Sequence, residues 1–172
     1  FLLALAFIFL VLAAQFESFV DPLVILISVP LAMGGALALL WLVGGSINIY
    51  SQIGLITLIG LISKHGILLV EFANQLREHG QEKIEATIEA ATLRLRPILM
   101  TTGAMVLGAV PLATAAGAGA EGRQAIGWVV VGGMSIGTLF TLYVVPAVYT
   151  LVGGKHAAHP DSLSAEASPA TG

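Results

Sequence analysis

"GLISKHGILLVEF", residues 60–72, sets one lysine, Lys64, in a run that otherwise dissolves in lipid. The apolar residues are continuous rather than alternating, and backbone inside a bilayer must satisfy its hydrogen bonds within its own segment. The stretch therefore reads as a membrane-spanning helix and not as a barrel strand. The whole chain has the same character: of 172 residues, 57% are hydrophobic and only 10% charged, with a mean hydropathy of +0.95. Soluble globular domains do not have that balance. No cysteine is present, which excludes disulfides and thiolate metal sites.

Working outward from 51–72, three more stretches are long enough to span, at 22–43, 97–115 and 125–152. The chain opens on "FLLALAFIFLVLAA", residues 1–14, with no basic flank of the kind a signal peptide carries. As a helix it reaches about 21 Å against a hydrocarbon core of roughly 30 Å, so it reads as the cut end of a span. The expectation is an all-α membrane protein, a bundle of five transmembrane helices with the first truncated. Asp21-Pro22 suggests an N-cap followed by proline at the first helical position, and Pro97 suggests the opening of the fourth span. Residues 153–172 are small, polar and proline-containing, and are expected to form a disordered tail.

The loops differ in charge. Arg77, Lys83, Arg94 and Arg96 lie between the third and fourth spans and Lys155 in the tail, whereas "GGSINIY" has no basic residue and "AGAGAEGRQ" only Arg123. The positive-inside rule then puts the 77–96 loop and the C-terminus in the cytoplasm of a multi-pass membrane protein. Within that loop Ile84, Ile88, Ala91 and Leu95 recur at helical spacing, which predicts a short amphipathic helix over about 81–95 lying on the membrane surface or on neighbouring helices.

Lys64 lies about 12 Å from the cytoplasmic end of its span at the helical rise. A lysine at a helix centre costs about 2.5–3.5 kcal/mol, so such groups face a bundle interior and a partner. Snorkelling to the interface would need a climb of about two turns. Thr57, Gly60, Lys64 and Glu71 share a stripe roughly 60° wide, which predicts a buried polar or small face. Glu71 is seven residues from Lys64, about 10.5 Å, too far for a good ion pair, so the neutralising carboxylate is expected on a segment outside this chain. Thr101 falls at a similar depth on the next helix, where its hydroxyl either reaches the ammonium or bonds back to its own helix.

The pairs Ala104/Gly108 and Gly133/Gly137 are spaced for close helix packing. His65 points about 100° away from Lys64 and reads better as bonded to a neighbouring helix than as a relay. His156 and His159 lack the further ligands of a metal site. No phosphate loop, nucleophile elbow or nucleic-acid-binding face is present, and one lysine without a charged ring makes a poor channel lining.

"GLITLIGLISKHGILLVEFANQLRE" and "ATLRLRPILMTTGAMVLGAVPLATAAGAGAEGRQAIGWVVVGGM", with "FESFVDP" between the first two spans, resemble the C-terminal membrane half of resistance-nodulation-division transporters, in the hydrophobe and amphiphile efflux branch. The resemblance covers about residues 1–152 and implies the second half of a twelve-helix transporter, from the eighth helix to the twelfth. It further implies a drug:proton antiporter of the inner membrane, driven by the proton-motive force without a cofactor or metal, and not an enzyme. By this resemblance Lys64 pairs with two aspartates on the missing fourth helix. Thr101 lies near that cluster, and Arg94 near the cytoplasmic mouth of the proton path. The implied partners are the rest of the same transporter chain, further copies in a homotrimer, a periplasmic adaptor, an outer-membrane channel and the lipid bilayer, with no nucleic acid. "SKHG" departs from the better-known drug pumps at His65 and Gly66, which leaves the subgroup open. Two alternatives stand beside this reading. One is a lipid or protein export component of the same superfamily; the other is a structural subunit whose lysine docks on an acidic helix.

Overall fold

In a computed structural model, which describes residues 2–152, five helices follow one another through short turns: α1 Leu2–Phe16, α2 Val20–Leu42, α3 Ile49–Glu78, α4 Lys83–Ala113 and α5 Ala120–Val152. Helices α2 to α5 are each long and apolar enough to cross a membrane, and α1 is a shorter apolar helix. The short connections make sequential neighbours antiparallel, so α3 and α5 run parallel. The α3–α4 turn, the start of α2 and the end of α5 lie at one end of the bundle.

Helix starts differ from the sequence reading, α5 beginning at Ala120 rather than 125. Asp21 is not a cap: α2 begins at Val20 after Phe19, with no side-chain cap bond. Helix α3 begins two residues early because Asn48 and Ser51 form a capping box. The Ser51 amide donates to Asn48 Oδ1 at 2.9 Å and the Asn48 amide to Ser51 Oγ at 2.8 Å. At the other end, positive φ at Gly117 (91°) and Gly119 (72°) turns the chain between α4 and α5. The turn is fastened by Arg123, donating to the Ala118 carbonyl at 3.1 Å, and by Gln124, donating to that of Ala115 at 2.6 Å.

The amphipathic segment 81–95 and the span 97–115 are not separate. They form one helix, α4, of 31 residues with Pro97 inside it. Proline removes a single backbone bond, and the segments on either side have strong helical periodicity, so the helix runs through. Its apolar stripe is not turned onto the neighbouring helices among the described residues. Ala86, Thr87 and Ala90 pack inward, while Ile84, Ile88 and Leu95 are exposed.

Helix α5 is the hub and packs against α2, α3 and α4, whereas α1 touches only α2 and α3. Its glycines make this possible by admitting neighbours on several sides. A Cβ at Gly127 would stand 2.3 Å from the Ala113 backbone of α4. Gly132 admits Leu39 of α2, Gly133 admits Leu58 of α3, and Gly137 admits both Ala32 and Ile62. Two apolar clusters fill the bundle, one around Ile25, Leu69, Val70 and Tyr149, the other around Leu58, Ile62, Val129 and Met134.

Candidate functional site around Lys64

Lys64 stands near the middle of α3, and between Asp21 and Glu71 it is the only charged side chain. Helix α3 turns Leu58, Ile59, Ile62, Leu69 and Val70 into the bundle. Lys64 thereby falls on the opposite side and is exposed, together with Thr57, Gly60 and Glu71. The stripe expected to be buried is therefore an outer face of these five helices. It carries no bulky apolar side chain with which to fill their core. Among the described residues no carboxylate lies within ion-pair distance of Lys64.

Helix α4 continues this face. Thr101, Ala104 and Gly108 are exposed, and a Cβ at Gly60, Gly103 or Gly108 would meet nothing within 4 Å. Of the glycines expected on packed faces, Gly60, Gly108, Gly133 and Gly137, the last two are buried against other helices of the bundle. Gly60 and Gly108 pack against nothing among the described residues. The result is a shallow, small-residue surface with one ammonium group on it, and close helix approach requires such a surface.

Thr101 does not reach Lys64. Its Oγ1 lies 3.3 Å from Nε2 of the buried His65, and 3.0 Å from the backbone carbonyls of both Pro97 and Ile98. A hydroxyl has one proton. With that proton given to a carbonyl, Oγ1 accepts from an Nε2–H imidazole, so His65 is bonded across to α4 as its direction on α3 suggested. His65 Nδ1 is left buried without a partner. One residue on, and turned into the bundle, Thr102 shares a hydrogen bond of 3.1 Å with Thr138 between α4 and α5.

Arg94 lies seven residues before Thr101 on the same face of α4, about 10.5 Å nearer the α3–α4 turn. Its guanidinium carbon sits 4.6 Å from the centroid of the Phe72 ring on α3, an aromatic stack that holds a cation beside the membrane end of the site. The structure thus brings Thr101 to His65 and Arg94 to Phe72, and leaves Lys64 on the outer face with no carboxylate partner among the described residues. His156 and His159 lie outside the described residues. Among the described residues no three His, Cys, Asp or Glu side chains come together as a metal site.

A second polar cluster escaped the sequence reading. Asp21, only 3% exposed, accepts from Asn74 Nδ2 at 2.9 Å. Tyr149 OH donates to Asn74 Oδ1, and Arg77 donates to Tyr149 OH at 3.0 Å. No local pattern joins these residues, because the bonds close over 53 to 75 positions of sequence.

The AcrB/AcrD/AcrF family profile matches residues 1–153 of the chain. The chain belongs to that family. It is 57% identical over 163 residues to an uncharacterized transporter of Haemophilus influenzae, covering 91% of this chain and 16% of that protein. It is 46% identical over 159 residues to the toluene efflux pump membrane transporter TtgB of Pseudomonas putida, covering 90% of this chain and 15% of the relative. It is 44% identical over 151 residues to the multidrug resistance protein MdtF of Escherichia coli, covering 87% and 15% respectively. The chain spans about one-sixth of the length of these relatives. It thus matches the membrane region of resistance-nodulation-division efflux transporters, with several apolar helices.

Proposed function

We propose that this segment belongs to a proton-driven efflux pump of the inner membrane, an antiporter exchanging amphiphilic compounds for protons, in which Lys64 is the cationic member of the proton relay. The observation that carries the reading is a single ammonium group midway along α3, on a face that no helix of the bundle covers. A cation at that depth is disfavoured by about 2.5–3.5 kcal/mol unless an anion meets it, which supports a carboxylate supplied by the rest of the transporter. Protonating that carboxylate frees the ammonium. The paired and freed states favour different helix packings, so proton uptake biases a bistable arrangement.

Thr101 and Arg94 extend the relay along α4, with Thr101 acting through His65 and Arg94 at the entrance. Arg77, Lys83, Arg94 and Arg96 all cluster toward the α3–α4 turn, which supports a cytoplasmic location for that end and for the C-terminus. The energy source is the proton-motive force, with no cofactor. Substrates like those named for TtgB and MdtF, toluene and multiple drugs, fit the family. So does a homotrimer working with a periplasmic adaptor and an outer-membrane channel.

The test uses the full-length transporter in cells lacking other pumps. Lys64→Ala abolishes efflux of a fluorescent amphiphile while the protein accumulates in the membrane at the parental level. Efflux at the parental rate from the alanine variant contradicts the assignment.

A further inference from the structure

The polar cluster at the α3–α4 turn end of the bundle lies outside the face that carries Lys64. It links three helices: Asp21 on α2, Asn74 and Arg77 on α3, and Tyr149 on α5. The carboxylate only accepts, which fixes the Asn74 amide with its nitrogen toward Asp21 and its oxygen toward α5. The phenol then donates to that oxygen, and its own oxygen accepts from Arg77, whose guanidinium also lies 5.9 Å from the Tyr149 ring centroid. Every bond points the same way, from the guanidinium through two neutral groups to the buried carboxylate, and bonds so aligned polarise one another.

The rest of the α3–α5 seam explains why such a device is useful. Gly54 faces Val129, Leu58 sits over Gly133, and Ile62 over Gly137. Each pair is 75 positions apart in sequence, and so are Asn74 and Tyr149. The seam therefore repeats every four residues along two parallel helices, the spacing of ridges packed into grooves. Small and apolar contacts discriminate weakly between neighbouring turns: a slip by one turn sets Leu58 over Gly137, again a glycine. In lipid no hydrophobic drive resists the slip. The hydrogen-bonded chain does not survive a displacement of about 5.4 Å, and a single buried polar contact is known to fix register in helical assemblies.

We infer that Asp21, Asn74, Tyr149 and Arg77 form a register clasp that fixes α3 against α2 and α5 at one depth. They are positioning residues for Lys64, which lies ten residues from Asn74, about 15 Å along the same rigid helix. The consequence for Lys64 rests on the efflux reading; the register itself does not.

The experiment separates the two. Spin labels at Gln52→Cys on α3 and Leu151→Cys on α5, in the full-length transporter freed of other cysteines, give a distance that changes by about 5 Å for a one-turn slip. Asn74→Asp sets two carboxylates face to face with no donor between them, and Tyr149→Phe removes the central hydroxyl at constant charge. Each shifts the label distance or splits it into two populations, and lowers efflux. The exchange Asp21→Asn with Asn74→Asp restores a donor opposite a carboxylate. It returns the single parental distance, and efflux to within about twofold of the parent. Parental distances in both Asn74→Asp and Tyr149→Phe, or a double exchange as displaced as Asn74→Asp alone, overturn the clasp. Restored distance with efflux still absent in the exchange upholds the clasp and counts against a role through Lys64 depth.

Discussion

At the scale of residues, Lys64 and His65 are adjacent yet meet different surroundings, because one helical step of about 100° carries the chain from the outer face to the bundle interior. The imidazole is held to α4 by one hydrogen bond to Thr101, and its other nitrogen is buried and unpartnered. Removing the hydroxyl leaves both ring nitrogens without partners. Thr101→Val is therefore expected to destabilise the transporter by about 1–3 kcal/mol, whereas Thr101→Ser keeps the bond. The check is the melting temperature of the solubilised full-length protein: valine lowers it by several degrees and serine leaves it near the parental value. A valine variant that melts like the parent contradicts the His65–Thr101 contact. The place of Lys64 near the middle of an apolar helix was legible in the sequence, since a charge amid apolar residues declares itself. Which neighbour Thr101 would meet was not, because helix rotation depends on how Ile62 and Leu69 find the core.

At the scale of elements, periodicity and run length located the helices, and hydrogen bonds between side chain and backbone adjusted their ends. Asn48 with Ser51 started α3 early, and continuous periodicity through Pro97 joined two expected elements into α4. The glycines of "GWVVVGGMSIG" signalled close packing, but their division among three neighbours was set by topology. Gly127 is the most constrained of them, with the Ala113 backbone where a side chain would stand. Gly127→Ala must push α5 from α4 and is expected to cost about 1–3 kcal/mol. Gly103→Ala adds a methyl group to an open surface of this bundle. Membrane abundance and size-exclusion behaviour of the two variants measure the difference. Equal loss in both, or none in Gly127→Ala, contradicts the packing of α5 on α4. The clasp was illegible for a different reason: Asp21 resembles a helix cap, Arg77 a loop charge, and only the folded register brings them to Asn74 and Tyr149.

At the scale of the whole molecule, the five helices bury one another around α5 and leave the Lys64 face open, along with most of α4. Small residues, one ammonium and the flanking Arg94 make that surface suited to a close-packed helix bearing negative charge, and poorly suited to lipid. The central claim of the proposed function is that this ammonium couples proton movement to efflux, in a chain that spans about one-sixth of the length of its relatives. The most direct test is proton flux in proteoliposomes of the full-length protein, followed by an entrapped pH dye as substrate is added under an imposed proton gradient. The account predicts substrate-dependent proton flux from the parent and none from Lys64→Ala, with the variant folded and inserted; continued substrate-dependent flux from Lys64→Ala would contradict it.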